Sequence, residues 1–187
     1  MLRNGQGSTV QRDKFKYASQ YCEENVWHLC QEPQFQRLEK CVLIISNPLR
    51  ACAFWQQRYT NSPQPQVWDY HVVLLVCDSV WFVWDLDSLL SLPVPMRLYL
   101  DETFCRRRFE QTLYAPRFRI IEASDYVKHF SSDRSHMRDK NGDWLAPPPA
   151  WSPILKDGVC SFPQLIDFRP GAGPESFTLS RVYELFA

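Results

Sequence analysis

Three short stretches of this chain of 187 residues carry side chains that could do chemistry together. Tyr21-Cys22-Glu23-Glu24-Asn25-Val26-Trp27 offers a thiol at the start of an expected helix. Trp68-Asp69-Tyr70-His71 ends on a histidine that opens an apolar run, and Trp84-Asp85-Leu86-Asp87 sets a carboxylate at the close of the next such run. A thiol, an imidazole and a carboxylate are the nucleophile, base and orienting acid of a cysteine-dependent acyl transfer. Each has an ordinary explanation alone. Cys22, taken alone, reads first as a small buried hydrophobe.

Chemistry requires that the surrounding elements bring the three together. Ser19 reads as a helix N-cap, which places Cys22 at the third helical position, where unpaired N–H groups and the helix dipole favour an anion such as a thiolate. Cys22, Val26, Leu29 and Cys30 share one helical face, so the thiol faces the core. Cys41 to Ser46 reads as a strand covered on both faces, Ala51 to Arg58 as an edge strand, and Asn61 to Gln66 as a loop. Val67 to Val76 and Val80 to Leu86 then read as an antiparallel hairpin. Its register matters, because side chains alternate and an even loop would throw His71 and Asp85 onto opposite faces. A three-residue loop at Cys77-Asp78-Ser79, or a longer odd one, sets His71 opposite Asp85 and Val72 opposite Trp84.

Further along, Arg97 to Leu100 and Arg117 to Ile121 read as strands flanking a helix at about 102 to 113. Arg106-Arg107-Arg108 on that helix could meet a phosphate, but alongside Glu102 and Glu110 reads as a solvated face. Ser124-Asp125 caps a short helix to Phe130. The long segment Ser131 to Pro149 follows, and Ser132-Asp133-Arg134-Ser135-His136 within it is expected to border the site. After a break at Pro170 to Pro174, a final helix runs from Leu179 to Phe186 with Thr178 as N-cap.

Composition narrows the field. Lys+Arg and Asp+Glu are equal at 21 each, so no charge excess argues for nucleic acid. The length and 45% hydrophobic residues suit one domain with one sizeable core. Residues 1 to 18 read as a flexible lead-in that becomes ordered near Phe15 and Tyr17. The first 20 residues lack the apolar core of a signal peptide, and no run of 18 apolar residues is present, so an intracellular protein that does not enter a membrane is expected. Seven cysteines without a CxxC pair read as six buried thiols beside the reactive one. Four dispersed histidines argue against a metal site.

The chain order, a helix-borne Cys22 followed by His71 and Asp85 on neighbouring strands, is that of papain-like and transglutaminase-like enzymes. Tyr21 to Asn25, Trp68-Asp69-Tyr70-His71-Val72, Asp85-Leu86-Asp87 and Ser132 to Met137 together resemble the protein N-terminal glutamine amidohydrolases, the family of the WDYHV motif, over about Tyr21 to Pro149. The resemblance implies an α+β fold with a transglutaminase-like core, in which a mainly antiparallel sheet packs on the helix bearing the nucleophile. It implies a monomeric, cofactor-free enzyme of cytosol and nucleus. Such an enzyme converts the N-terminal Gln of a protein to Glu with release of ammonia, upstream of arginyl transfer in the N-degron pathway. The matching catalytic positions are Cys22, His71 and Asp85. The segment Asn47 to Gln66 and the absence of a Gly-Trp-Gly-like stretch at Gly171 to Phe177 depart from the family.

Recognition of a free terminus calls for a carboxylate to hold the α-ammonium. Glu23, Glu24, Asp69 and Asp87 are the candidates. Glu23 and Glu24 also read as ordinary first-turn acids. Asp69, two residues from His71 on an expected strand, shares its face. Trp27, Trp68 and Trp84 are candidate pocket walls, though buried aromatics commonly serve a core. Two other readings fit the same residues: a transglutaminase-like or papain-like hydrolase acting on internal residues, and a module that binds N-termini without turnover.

Overall fold

In the computed structural model, residues 12–59, 64–104, 112–156 and 158–187 are described. Most of them wrap a six-stranded sheet in the order β6-β5-β4-β1-β7-β8, each pair antiparallel. The strands are β1 (Glu39–Ser46), β4 (His71–Asp78), β5 (Val80–Trp84), β6 (Val94–Pro95), β7 (Arg117–Glu122) and β8 (Phe177–Thr178). A separate ribbon pairs β2 (Cys52–Phe54) with β3 (Gln66–Trp68). The helices are α1 (Cys22–Leu29), α2 (Met96–Phe104), α3 (Ala123–His129), α4 (Phe162–Leu165) and α5 (Leu179–Phe186). None of the described helices is long and apolar enough to cross a membrane.

The central strands β1 and β4 are unbroken apolar runs because both of their faces are covered. Val42, Ile44, Val72, Leu74 and Val76 point to one side, onto Val26 and Leu29 of α1 and Tyr126 of α3. Leu43, Ile45, Val73 and Leu75 point to the other, onto Tyr99, Leu100 and Phe104 of α2 and Leu179 and Val182 of α5. The helix at Leu179–Phe186 starts as the sequence suggests, with Thr178 Oγ1 accepting from the Arg181 N–H at 3.2 Å.

Several local expectations change. Arg97 to Leu100 is not a strand but lies in α2, whose buried Met96, Tyr99, Leu100, Thr103 and Phe104 follow helical spacing. The expected helix at 102 to 113 therefore begins earlier. Its continuation at 105–111, with the three arginines and Cys105, lies outside the described residues. Val67 to Val76 is two strands broken at Asp69-Tyr70, and α3 begins after Glu122 without a side-chain cap from Ser124 or Asp125. From Arg12 on, the described part of the lead-in is held against the rest of the chain. The Arg12 guanidinium donates to the Ser88 and Leu90 carbonyls at 2.8 and 2.6 Å, and Phe15 packs edge-on against Trp84. Residues 1–11 of the lead-in lie outside the described residues.

Candidate active site

At the end of the sheet where β4 begins, a cleft of about 250 Å³ is lined by Cys22, His71 and Asp87, with Trp68, Asp69, Tyr70 and His136 among the other walls. It is smaller than the roughly 300–1,000 Å³ of sites for drug-sized ligands and suits a single side chain.

Cys22 reaches the cleft by a turn unlike the expected one. Ser19 does not cap the helix; Tyr21 does, without a side-chain bond, so Cys22 is the first helical residue rather than the third. Two features account for this. Asn25 clasps Ala18, its amide bonded to both the Ala18 N–H and the Ala18 carbonyl at 2.8 Å. Gln20 turns the chain with a φ of +66°, leaving Ser19 in the bend. The thiol is buried against β4, whose Val72 N–H points at the sulfur. Burial foremost, then Glu23 and Asp87, push its pKa well above the ordinary range.

His71 opens β4 as expected, its ring edge-on to Phe54 with centroids 5.4 Å apart. His71 Nε2 lies 3.0 Å from Asp85 Oδ1. Asp85 also accepts from the Asp87 N–H at 2.9 Å and from the Tyr99 hydroxyl at 2.9 Å. Burial alone would lower the imidazole pKa, but the Asp85 charge and bond outweigh it and hold it raised. Burial likewise pushes Asp85 up, yet His71 and the N–H and hydroxyl donors leave it lowered.

The hairpin keeps the required parity by a shorter route. Asp78 pairs with Val80 across Ser79 alone, which takes a φ of +64°. Trp84 therefore faces Leu74 rather than Val72, and Asp85 falls just past the end of β5. The three-residue loop and the His71–Asp85 strand pairing are thus corrected, while the odd spacing that leaves the two side chains able to meet holds.

The four candidate carboxylates separate. Asp87 lines the cleft with Oδ1 accepting from Tyr17 at 2.6 Å, and burial foremost raises its pKa. Asp69 lines it too, but at the strand break; Arg50 binds its Oδ2 at 2.8 Å and the Tyr70 N–H its Oδ1 at 3.0 Å. Glu23 is fully buried behind Cys22 and Tyr70. Glu24 is turned elsewhere, fully buried and clamped by Arg134 through two bonds of 2.7 Å, with the Trp151 indole donating to it at 2.6 Å.

Of the tryptophans, Trp68 lines the cleft. Trp84 packs in the core on Phe15 and Phe35, and the Trp27 indole donates to the Val127 carbonyl. Cys30, Cys41 and Cys52 are buried and Cys77 and Cys160 half-buried, all free thiols. Among the described residues, the grouping with metal-like proximity is His71, Asp85 and Asp87, with donor atoms within 4.8 Å of one another. The Nε2 of His71 and both oxygens of Asp85 are already committed to protein partners.

Tyr99 was the neighbour of the site hardest to anticipate, whereas His136 lies in the segment expected to border it. Tyr99 was concealed by the strand reading of its segment, although the spacing of Met96, Tyr99, Leu100 and Thr103 is helical. His136 arrives on a 3-10 turn at Ser135–Met137 within the segment expected to border the site.

A buried thiol at a helix start, sharing a cleft with an imidazole held by a carboxylate, is the equipment of a thiol-dependent hydrolase. The family model described as N-terminal glutamine amidase matches residues 17–173, a span containing every cleft residue named above. The chain is 39% identical over 160 residues to the protein N-terminal glutamine amidohydrolase of Bos taurus, covering 82% of this chain and 76% of that protein. It is 37% identical to the Danio rerio protein of the same name, covering 80% and 81%. To the Drosophila melanogaster protein of that name it is 36% identical over 179 residues, covering 91% and 87%. The chain belongs to the N-terminal glutamine amidase family.

Proposed function

We propose that this protein hydrolyses the side-chain amide of an N-terminal glutamine on a protein or peptide, leaving glutamate and releasing ammonia, with Cys22, His71 and Asp85 as its catalytic residues. The observation that carries the reading is the buried His71–Asp85 pair, whose His71 lines the same cleft as Cys22, in a chain of this family.

His71 Nε2 faces Asp85, so Nδ1 is the ring nitrogen left to take the thiol proton. The sulfur attacks the amide carbon, and the tetrahedral oxyanion meets backbone N–H groups. That of Cys22, first in its helix and without an intrahelical partner, is the leading donor. The imidazolium returns the proton to departing ammonia, and water then hydrolyses the thioester through the same base. Asp85 fixes the tautomer and stabilises the charged ring.

For the α-ammonium, Asp87 is the favoured carboxylate. It lines the cleft, and no ion pair engages it among the described residues, whereas Asp69 is paired with Arg50 and Glu24 with Arg134. Asp87→Asn is expected to raise KM more than it lowers kcat in steady-state assays, and an unchanged KM would reject the role. The helix-on-sheet arrangement of thiol and base is that of a transglutaminase-like core. The resemblance to this family supports a monomer without a cofactor, a place in cytosol and nucleus, and service to the N-degron pathway.

The test is ammonia release from a peptide with a free N-terminal Gln and from its Nα-acetylated counterpart. Release from the free terminus alone, lost in Cys22→Ala, is expected. Equal release from both would favour a hydrolase of internal glutamine, and none from either a binding module.

A further inference from the structure

The thiol of Cys22 lies among carboxylates. Glu23 is fully buried beside it, and the thiol donates to Glu23 Oε2 across 3.7 Å. The same oxygen accepts from the Tyr70 hydroxyl at 3.1 Å. Glu23 Oε1 is buried without a hydrogen-bond partner, 3.4 Å from His136 Nε2. On the cleft side stands Asp87, and behind His71 stands Asp85. Beyond burial, which acts most strongly, Glu23, Asp87 and Asp85 all oppose ionisation of the thiol, and the Val72 N–H favours it. Of the guanidiniums around the cleft, Arg50 is engaged by Asp69, Arg134 by Glu24 and Arg12 by the Ser88 and Leu90 carbonyls, while Arg58 acts on Asp87.

This placement of Glu23 is poor architecture. An acid in the first turn of a helix stabilises it from an exposed position, without the desolvation cost of burying a charge whose Oε1 accepts no hydrogen bond and has the His136 ring 3.4 Å away. Beside a nucleophile it also disfavours the thiolate that attack requires. Both costs fall if a positive charge arrives with the substrate.

We propose that the nucleophile answers to the charge of its substrate: Glu23 keeps Cys22 protonated in the empty cleft, and the α-ammonium of an N-terminal glutamine supplies the cation that offsets it. The inference rests on the amidase reading and deepens it. The ammonium is separated from the glutamine amide by only a short side chain, so an amide seated at Cys22 brings the charge into the cleft that Asp87 lines, where it offsets through space, without touching it, the charge of Glu23 buried behind the thiol. An acetylated terminus or an internal glutamine brings no cation and leaves the thiol protonated. Selection for a free terminus then acts on the chemical step as well as on binding. Glu23 acts through Cys22 and is a positioning residue. The other titratable groups facing the pair are Tyr70 just before β4, His71 at its start, Asp85 and Asp87 after β5, His136, and Tyr126 of α3, whose hydroxyl donates to the Glu23 carbonyl.

The experiment follows alkylation of Cys22 by iodoacetamide across pH, read by mass spectrometry on the peptide containing Cys22, in wild type, Glu23→Gln and Tyr70→Phe. The same proteins are assayed for kcat/KM on free and Nα-acetylated Gln peptides. Glu23→Gln is expected to move the alkylation profile to lower pH, with alkylation at neutral pH at least about tenfold faster, the equivalent of one pKa unit. It should also narrow the preference for the free terminus. Tyr70→Phe, which takes a hydrogen bond from the Glu23 carboxylate, should move the profile the other way. Opposite shifts separate this role from a structural one, which would slow both variants. An unmoved profile in Glu23→Gln, or slowing in both, would overturn the proposal. Wild type that releases ammonia equally from both peptides would overturn the amidase reading itself, a failure that the alkylation profiles do not mimic.

Discussion

Asp85 shows what a single residue contributes. Its two oxygens receive three donors: the His71 ring, the Asp87 N–H and the Tyr99 hydroxyl. On the proposed mechanism Asp85→Asn, which permits the wrong tautomer, should lower kcat by about three to four orders of magnitude. Stability should follow pH in a defined way. The raised pKa of His71 gives a contribution present in full below its ordinary value of 6.5 and lost as pH rises through the folded value. The lowered pKa of Asp85 gives one present above its ordinary 3.8 and lost as pH falls through the folded value. Denaturation of wild type and Asp85→Asn should therefore differ most between about pH 4 and 6.5, and less on either side. Tyr99→Phe removes one donor to a charged acceptor and should cost about tenfold in kcat with KM little changed, as steady-state kinetics will show. That Cys22, His71 and Asp85 would gather at one place was legible because their types and order are themselves the signal. Tyr99 was not, because its contact with Asp85 joins segments whose pairing only the fold reveals.

At the scale of elements, spacing carried the argument far but not to the exact residue. Parity of the hairpin could be read, since only an odd loop lets His71 and Asp85 meet. Its length could not, because Ser79 tolerates a left-handed turn that serine rarely adopts. The start of α1 was misplaced because Ser19 has the right chemistry for a cap, while Asn25, from within the helix, imposes a different turn. The segment 131–149 was legible as a border of the cleft but not as a clamped one. Arg134, at a φ of +62°, ties it to Glu24 of α1 and to the Trp151 carbonyl. Arg134→Met leaves a buried carboxylate unpaired and should destabilise the fold by about 3–5 kcal/mol in urea denaturation, with Arg134→Met/Glu24→Leu recovering much of the loss.

Across the whole molecule, the apolar runs at β1 and β4 foretold a sheet covered on both sides, but not what holds the last segment down. That role falls to Arg119, a buried side chain of β7 that donates to the carbonyls of Pro174, Gln164, Leu165, Asp167 and Ala172. Gly173 makes room for it. Its φ is +64°, and a Cβ there would lie 3.0 Å from both terminal guanidinium nitrogens. Gly173→Ala should cost at least about 1 kcal/mol and open residues 164–174 to limited proteolysis before the rest of the chain. An arginine in a strand gives no hint in sequence that its partners are five carbonyls some fifty residues away.

The sheet has a further consequence. Cys22 packs with the layer of α1, whereas His71 rests on Phe54 and its carboxylate on Tyr99, both in the layer of α2. Cys22 and His71, the proposed nucleophile and base, thus belong to opposite layers and share the cleft at the end of the sheet, so on the proposed mechanism turnover gauges how well the plates are aligned. A slip of about 1 Å between them, enough to cost about a hundredfold in rate, would barely disturb either core. In rising urea the enzyme should fall silent while its tryptophan fluorescence still reports a folded protein.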